Sequence, residues 1–436
     1  MKELNTFFLK TYGCQMNELD SEVMKGMLIN RGLTPIDDEE KADLILFNTC
    51  SVRDLAERKA LGKIGQIKNT TAIIGIAGCV AMSKKELLFK KLPQLDFLLG
   101  TNNINDLNQV LDEVLTKKKQ IARLDSKTKS EIDFNCATRK NKLSAFVSII
   151  RGCNNFCTYC IVPYTRGREV SRDHISIIKE CKQLASQGYK EITLLGQNVN
   201  SYGKDFVNKK SFLFHDLLYH LDKIEGIERI RFLTSHPVDI TQELIFAIRD
   251  LKKICEFVHF PVQAGSNRIL KKMHRIYTKE EYVEKVHFLR SIVPNVAIGT
   301  DIIVGFPTET DDEFMETYQL IKELKYSTAF IFAYSPRKGT PSDKWADDIS
   351  DEKKNLRLNK LLHLYQNVLL EENRKLLSSI EEVLIEGRNK DGTLLKGRTK
   401  RWQKVIFKGD NKLIGSLQKV KLIDCKHQTF MAEIID

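Results

Sequence analysis

The 436-residue chain contains no run of about 18 apolar residues, so no membrane-spanning helix is expected. Its first segment, MKELNTFFLKTYG, lacks the long apolar core and small-residue cleavage site of a secretory leader. A cytoplasmic location is therefore expected. Nothing points to an oxidising compartment, so the ten cysteines are not read as a disulfide framework. In such a setting clustered cysteines more often bind metal or do chemistry. Negative charge is also short. The 57 Asp and Glu face 69 Lys and Arg, which leaves a formal net charge of +12 and a pI near 9.0. That balance favours an anionic partner, nucleic acid first. The apolar share of 42% and the length suit a globular protein of two or three domains.

The next absence is a fourth thiol. In RGCNNFCTYC, Cys153, Cys157 and Cys160 follow the spacing C-x3-C-x2-C, and no further cysteine follows in that loop. Zinc sites close a tetrahedron with paired cysteines or histidines, and ferredoxin clusters take four thiolates. Three thiolates leave one iron of a cubane open to chelate a small molecule. The spacing resembles the signature of the radical S-adenosylmethionine (SAM) enzymes. Tyr159 before the last cysteine and the strand-like run Leu143 to Ile150 agree with it. A zinc knuckle or three unrelated thiols are the bland alternatives.

Residues 1–120 alternate strand-like and helix-like segments. Strands are expected at Thr6 to Gly13, Leu44 to Thr49, Ala72 to Gly78 and Asp96 to Gly100. Helices are expected at Asn17 to Arg31, Arg53 to Lys68 and Ile104 to Leu115, with Ser83 capping another. The alternation predicts a flavodoxin-like α/β domain. Cys14, Cys50 and Cys79 each lie just past the carboxyl end of a strand, where open α/β sheets bind ligands. Gly13 and Gly78 let the backbone turn beside two of them. Three thiols in one structural position favour a second metal site over ordinary buried cysteines, again with one iron left open.

Residues 116–142 are lysine-rich and read as a linker with a solvated surface. Residues 143–372 resume the alternation with about six β/α units, which predicts a partial (β/α)6 barrel like the radical SAM core. Its strand ends carry LLGQNVNSYG, TSHP, PVQAGSNRIL and VGFPTET. Chemistry in such barrels sits at those ends. Gln197, Asn198 and Asn200 are candidate cofactor contacts, and Gly305 allows close backbone approach. Each taken singly could instead be a cap or turn residue.

Residues 374–436 break into short strand-like runs, which predict a small antiparallel β-barrel. They hold 14 Lys and Arg against 8 Asp and Glu, a net of +6. Arg398, Lys400, Arg401, Trp402 and Lys404 interleave cations with an aromatic ring. That suits phosphate contact and base stacking on RNA.

Together these regions resemble the N-terminal, radical SAM and TRAM domains of the methylthiotransferases, over nearly the whole chain. TYGCQMNELDSE, NTCSVRDLAERK, GCNNFCTYCIVPYTRGREVSR and LLGQNVNSYG resemble the branch acting on dimethylallyl-adenosine in tRNA. Gly13-Cys14-Gln15-Met16-Asn17 differs from the phrases GCKVN and GCPKN of the other branches. The resemblance implies two 4Fe-4S clusters, one on Cys153, Cys157 and Cys160 and one on Cys14, Cys50 and Cys79. It implies SAM as cofactor and co-substrate, tRNA as partner and a low-potential electron donor. The implied reaction places a methylthio group on carbon 2 of N(6)-dimethylallyladenosine next to the anticodon. Cys136, Cys181, Cys255 and Cys425 are read as structural, and a monomer is expected. The alternatives are action on threonylcarbamoyl-adenosine, a redox iron–sulfur protein without substrate, and a zinc-bound RNA adaptor.

Overall fold

The computed structural model describes residues 4–52, 54–67, 71–127, 132, 134–206 and 212–435. Six parallel strands form the first sheet: β1 (Thr6–Tyr12), β2 (Thr34–Pro35), β3 (Leu44–Thr49), β4 (Ile73–Gly78), β5 (Phe97–Leu99) and β6 (Ile121–Arg123). Their order is β2-β1-β3-β4-β5-β6, the flavodoxin order with one strand added at the edge. Helices α1 (Gln15–Asn30), α2 (Asp54–Gln66), α3 (Cys79–Lys84), α4 (Leu87–Lys91) and α5 (Leu107–Lys117) connect the strands. β3 and β4 are buried at every position, which is why they read as continuous apolar runs. The ends Arg53 and Lys68 expected for α2 lie outside the described residues. Ser83 caps nothing; its hydroxyl bonds back to Val80 O inside α3, which starts at Cys79 itself.

The segment expected to be a solvated linker is pinned instead. Ile132 and Phe134 are buried against the core that holds α1. The Arg139 side chain is 7% exposed and pairs with Glu22 at 3.1 Å and Glu180 at 2.6 Å. One of the segment's lysines, Lys129, lies outside the described residues.

The middle region begins with β7 (Ser144–Ser148) and the short pair β8 (Ile150–Arg151) and β9 (Val170–Ser171). β10 (Glu191–Leu195) and β11 (Arg229–Phe232) join β7 in parallel, in the order β11-β10-β7. β12 (Phe257–His259), β13 (Ala297–Val304) and β14 (Thr328–Ala333) form a second parallel trio. A parallel bridge from Ile230 to Ile254 links the two, so six strands make an open barrel. Helices α6 (Val162–Thr165), α7 (His174–Ser186), α8 (Phe214–Asp222), α9 (Gln242–Asp250), α10 (Asn267–Lys272), α11 (Lys279–Ile292) and α12 (Asp311–Leu324) lie between them. Five start at a side-chain cap: Asp173, Thr241, Ser266, Thr278 and Thr310 each accept from the backbone N–H three residues on. Cys181 on α7 and Cys255 before β12 are buried in this region.

The 24-residue helix α13 (Asp351–Arg374) crosses to the tail. There β15 (Ile380–Arg388), β16 (Leu395–Thr399), β17 (Lys404–Phe407), β18 (Leu417–Lys426) and β19 (Thr429–Ile434) close a five-stranded barrel. It is not wholly antiparallel: β17 and β19 pair in parallel, which lets five strands close. The tail meets the amino ends of β10 to β12. Fully buried Arg229 donates to the carbonyls of Arg398 (2.5 Å) and Glu382 (2.8 Å). Arg231 donates to Glu191 (2.7 Å) and to the carbonyls of Thr399 (2.7 Å) and Lys400 (3.0 Å).

Candidate active site

Cys14, Cys50 and Cys79 follow the ends of β1, β3 and β4, three adjacent strands. Parallel register sets those ends side by side, and the Cys50 thiol reaches both of the others by hydrogen bond. A Cβ on Gly13 would stand 2.9 Å from the Cys50 Cβ. Gly78 has φ +93°, and a Cβ there would stand 2.5 Å from Asn48 Oδ1. The glycines beside the thiols are therefore required by close approach. Asn17 and Asn48 lock the strand ends from below, with bonds of 3.1 Å between their side chains and 2.8 Å from Asn48 to Asn17 O.

The charges around this trio are set. Hydrogen bonding from Cys50 holds the Cys14 thiol down at about 5 and the Cys79 thiol at about 6, against the opposing pull of burial. Arg166 and, for Cys14, the N–H groups of Asn17 and Met16 at the start of α1 act in the same direction. Arg166 follows α6, which packs on α3. It is buried and pairs with Asp20 of α1 at 3.0 Å, and Arg151 pairs with the other oxygen of Asp20 at 2.9 Å.

The second trio sits at the carboxyl end of the barrel. Cys153 follows β8, and Cys157 and Cys160 lie before α6. Cys157 lies close enough to raise the pKa of both Cys153 and Cys160 electrostatically, and Cys153 adds to the effect on Cys160. Burial comes first: it pushes Cys153 up to about 11 and Cys160 still higher. Asn155 Nδ2 approaches Cys153 Sγ at 3.5 Å, and buried Arg275 donates to Cys157 Sγ at 3.3 Å. The one-turn α6 links the two places, since it lies between Cys160 of the second trio and Arg166 beside the first.

Among the described residues, no three His, Cys, Asp or Glu close around a single metal ion. The thiols of the first trio touch one another, and no cysteine is in a disulfide. The donor set is thiol only, three at each place, with buried arginines beside them. That chemistry fits anionic thiolate-ligated clusters better than zinc or calcium.

The predicted cofactor contacts divide. Gln197 Oε1 accepts from Gly152 N at 2.6 Å, so it braces the Cys153 loop. Asn198 is occupied at both ends, by Asp239 (2.6 Å) and His236 N (3.1 Å). Asn200 Oδ1 accepts from Ser235, while its Nδ2 is buried without a partner. The close approach at Gly305 is made by Lys354 of α13, whose Cγ would stand 2.5 Å from an added Cβ. His236 in TSHP is a residue that sequence reasoning passed over. Its Nδ1 accepts from Val238 N, so the neutral ring carries its proton on Nε2, which is buried without an acceptor. Burial, then Arg275, Lys285 and Lys204, hold its pKa down at about 2.

The predicted RNA contacts are mostly engaged inside the chain. The Trp402 ring stacks on Phe257 at 5.5 Å, and the guanidinium groups of Arg231 and Arg398 lie over it at 4.9 and 4.6 Å. Arg398 pairs with Glu386, Arg401 with Glu381, and Lys400 donates to Lys252 O. Lys404 is exposed on β17.

Three family models match the chain. Uncharacterized protein family UPF0004 covers residues 6–100, the Radical SAM superfamily 147–321 and the TRAM domain 374–435. The tRNA-2-methylthio-N(6)-dimethylallyladenosine synthase of Protochlamydia amoebophila is 61% identical over 100% of this chain and 97% of its own. Proteins of the same name from Thermoanaerobacter pseudethanolicus and Clostridium botulinum are 49% and 46% identical, over 99% and 100% of this chain and 93% and 98% of theirs. Among solved structures, the radical SAM methyltransferase TsrM from Kitasatospora setae has a TM-score of 0.56 at 13% identity. The match covers 78% of this chain and 74% of that one, and it bears on the fold alone. The chain belongs to the radical SAM methylthiotransferases, in the tRNA-2-methylthio-N(6)-dimethylallyladenosine synthase family.

Proposed function

We propose that this chain places a methylthio group on carbon 2 of N(6)-dimethylallyladenosine next to the anticodon of tRNA. The observation that carries the reading is the presence of two separate trios of thiols without a fourth, each at the carboxyl ends of parallel strands. The names of relatives at 46–61% identity support dimethylallyladenosine over threonylcarbamoyl-adenosine. The proposed division is 1–120 for the second cluster, 143–372 for the radical core and 374–436 for RNA binding.

Cys153, Cys157 and Cys160 would hold one 4Fe-4S cluster, and Cys14, Cys50 and Cys79 the other. When bound, the first supplies the electron that breaks the C5′–S bond of SAM, and the second carries the sulfur to be transferred. Carbon 2 has no acid–base route to substitution, so the protein's task is to position and exclude. Gln197 fixes the Cys153 loop against the end of β10. Asn200 Nδ2 and His236 Nε2–H offer two buried donors to acceptors of SAM. Asn198 holds the TSHP turn in place. Arg166 holds positive charge beside the anionic first trio. Lys404 and its exposed neighbours on the tail would contact tRNA phosphates, which position without reading sequence. A low-potential donor, a cytoplasmic setting and a monomer complete the reading.

Nucleoside analysis of tRNA tests it. A strain lacking the gene should lose the methylthio group and keep the dimethylallyl group, and the wild-type chain should restore it. Restoration by a Cys14→Ala, Cys50→Ala, Cys79→Ala variant would refute the two-site reading.

A further inference from the structure

Among the described residues, Arg275 is the one charged side chain of the barrel that donates a hydrogen bond to a thiol of the second trio. Its guanidinium is held on all sides. Nη1 donates to Cys157 Sγ at 3.3 Å, Nη2 to Pro261 O at 3.0 Å and Nε to the Tyr277 hydroxyl at 2.8 Å. Tyr277 is itself fixed by Val262 O at 2.9 Å. The carbonyls of Pro261 and Val262 follow β12, so the barrel wall aims the fork. Arg275 is 7% exposed and Cys157 is also 7% exposed, so water screens the contact little. Among the described residues no carboxylate accepts from Arg275. A buried cation with neutral partners on two sides and a thiol on the third is costly unless that thiol carries negative charge.

We propose that Arg275 is a positioning residue that tunes the SAM-cleaving cluster, favouring its reduced state through the hydrogen bond to Cys157. The inference rests on the reading of Cys153, Cys157 and Cys160 as cluster ligands. Reduction adds one electron, taken from the low-potential donor, and so one negative charge beside a fixed positive one. That electron later passes to the sulfonium as the C5′–S bond breaks, and the positive charge stays where it was. Cluster potentials respond to net charge, to hydrogen bonds on the sulfurs and to burial, and Arg275 supplies the first two.

The test uses the full-length chain with Cys14, Cys50 and Cys79 changed to Ala, reconstituted anaerobically, so that a single cluster is read. Its failure to bind iron would refute the ligand reading rather than the role of Arg275. In iron-loaded protein carrying 15N-arginine, pulsed paramagnetic resonance of the reduced cluster should show a guanidinium 15N coupling. The coupling should vanish in Arg275→Lys. A redox titration of Arg275→Gln should show the reduction equilibrium shifted at least tenfold toward the oxidised form, about 59 mV for one electron. Absence of the 15N coupling, or a potential unchanged in an iron-loaded Arg275→Gln, overturns the proposal. Should Arg275→Gln bind no iron, the coupling in the otherwise native barrel decides alone.

Discussion

Replacing Arg231 with Met should detach the tail from the barrel without touching the thiol sites. Arg231 and Glu191 are 2% and 3% exposed and 2.7 Å apart, so truncation leaves a buried carboxylate with no countercharge. Breaking one partner of such a pair costs about 3–5 kcal/mol. The carbonyls of Thr399 and Lys400 also lose their donor, at about 1–3 kcal/mol each where water cannot replace it. Trp402 loses one of the two cations over its ring, about 0.5–2 kcal/mol. The loss falls on the junction, so local opening of β15 to β19 should be read by hydrogen exchange, residue by residue. Amides of those strands should exchange at least a hundredfold faster, while those of β1 to β6 stay unchanged. Changing Glu191 to Leu in the same chain should recover part of the loss, because both charges are then gone. Protection of the tail within a factor of about five of wild type would show that the junction does not rest on this pair.

Asp20→Ala leaves Arg151 and Arg166 buried and facing each other; a loss of about 3–5 kcal/mol is expected by chemical unfolding. The variant should also lose iron from the first trio before the second, measured with each trio present alone. His236 is neutral in the fold, with its pKa held near 2 against about 6.5 unfolded, so its contribution is complete above pH 6.5 and is lost as pH falls below it. Between pH 7.5 and 5.5 wild type should lose about 1.4 kcal/mol more than His236→Asn, and parallel pH curves for the two would refute the assignment. Charge reversal at the exposed Lys396, Lys404 and Lys408 should flatten the salt dependence of tRNA binding by about 2 in log–log slope. Trp402→Ala should loosen the tail first; a folded variant that loses only tRNA affinity would return Trp402 to the RNA face.

Much of the site was readable from local pattern. Apolar runs ending in GC, TC and GC mark strands that stop at a thiol, and parallel order then sets the thiols together. The spacing Cys153, Cys157, Cys160 needs no tertiary information at all. What escaped depends on distant packing. Arg275 lies 118 residues beyond Cys157, in a run of lysines and arginines that reads as surface. Its burial follows from the closure of the barrel, which no window of sequence contains. Trp402 among cations has the composition of a stacking platform, yet its ring face is taken by Phe257, 145 residues earlier. The linker misled for a related reason: Arg139 looks solvated until Glu22 and Glu180 are brought to it from two domains. The parallel pairing of β17 with β19 leaves no mark in alternation, because a strand shows the same period in either direction.

The ends of the barrel carry different tasks. Thiols, Asn200 and His236 gather at the carboxyl ends of the strands, and the tail docks at the amino ends of β10 to β12. A strand of four to eight residues spans roughly 13–26 Å, so the tail stands about one barrel height from the chemistry. On the proposed function, phosphate contacts made there act on the body of the tRNA and not on the reacting base. Binding energy gained far from the reacting carbon can be spent on orienting it, which is how remote contacts raise rate rather than affinity alone. A detached tail should therefore lower turnover on tRNA while leaving SAM cleavage in the absence of tRNA intact. Arg231→Met gives that separation without removing a residue of the site. Equal loss of both activities would mean that the tail also shapes the barrel mouth.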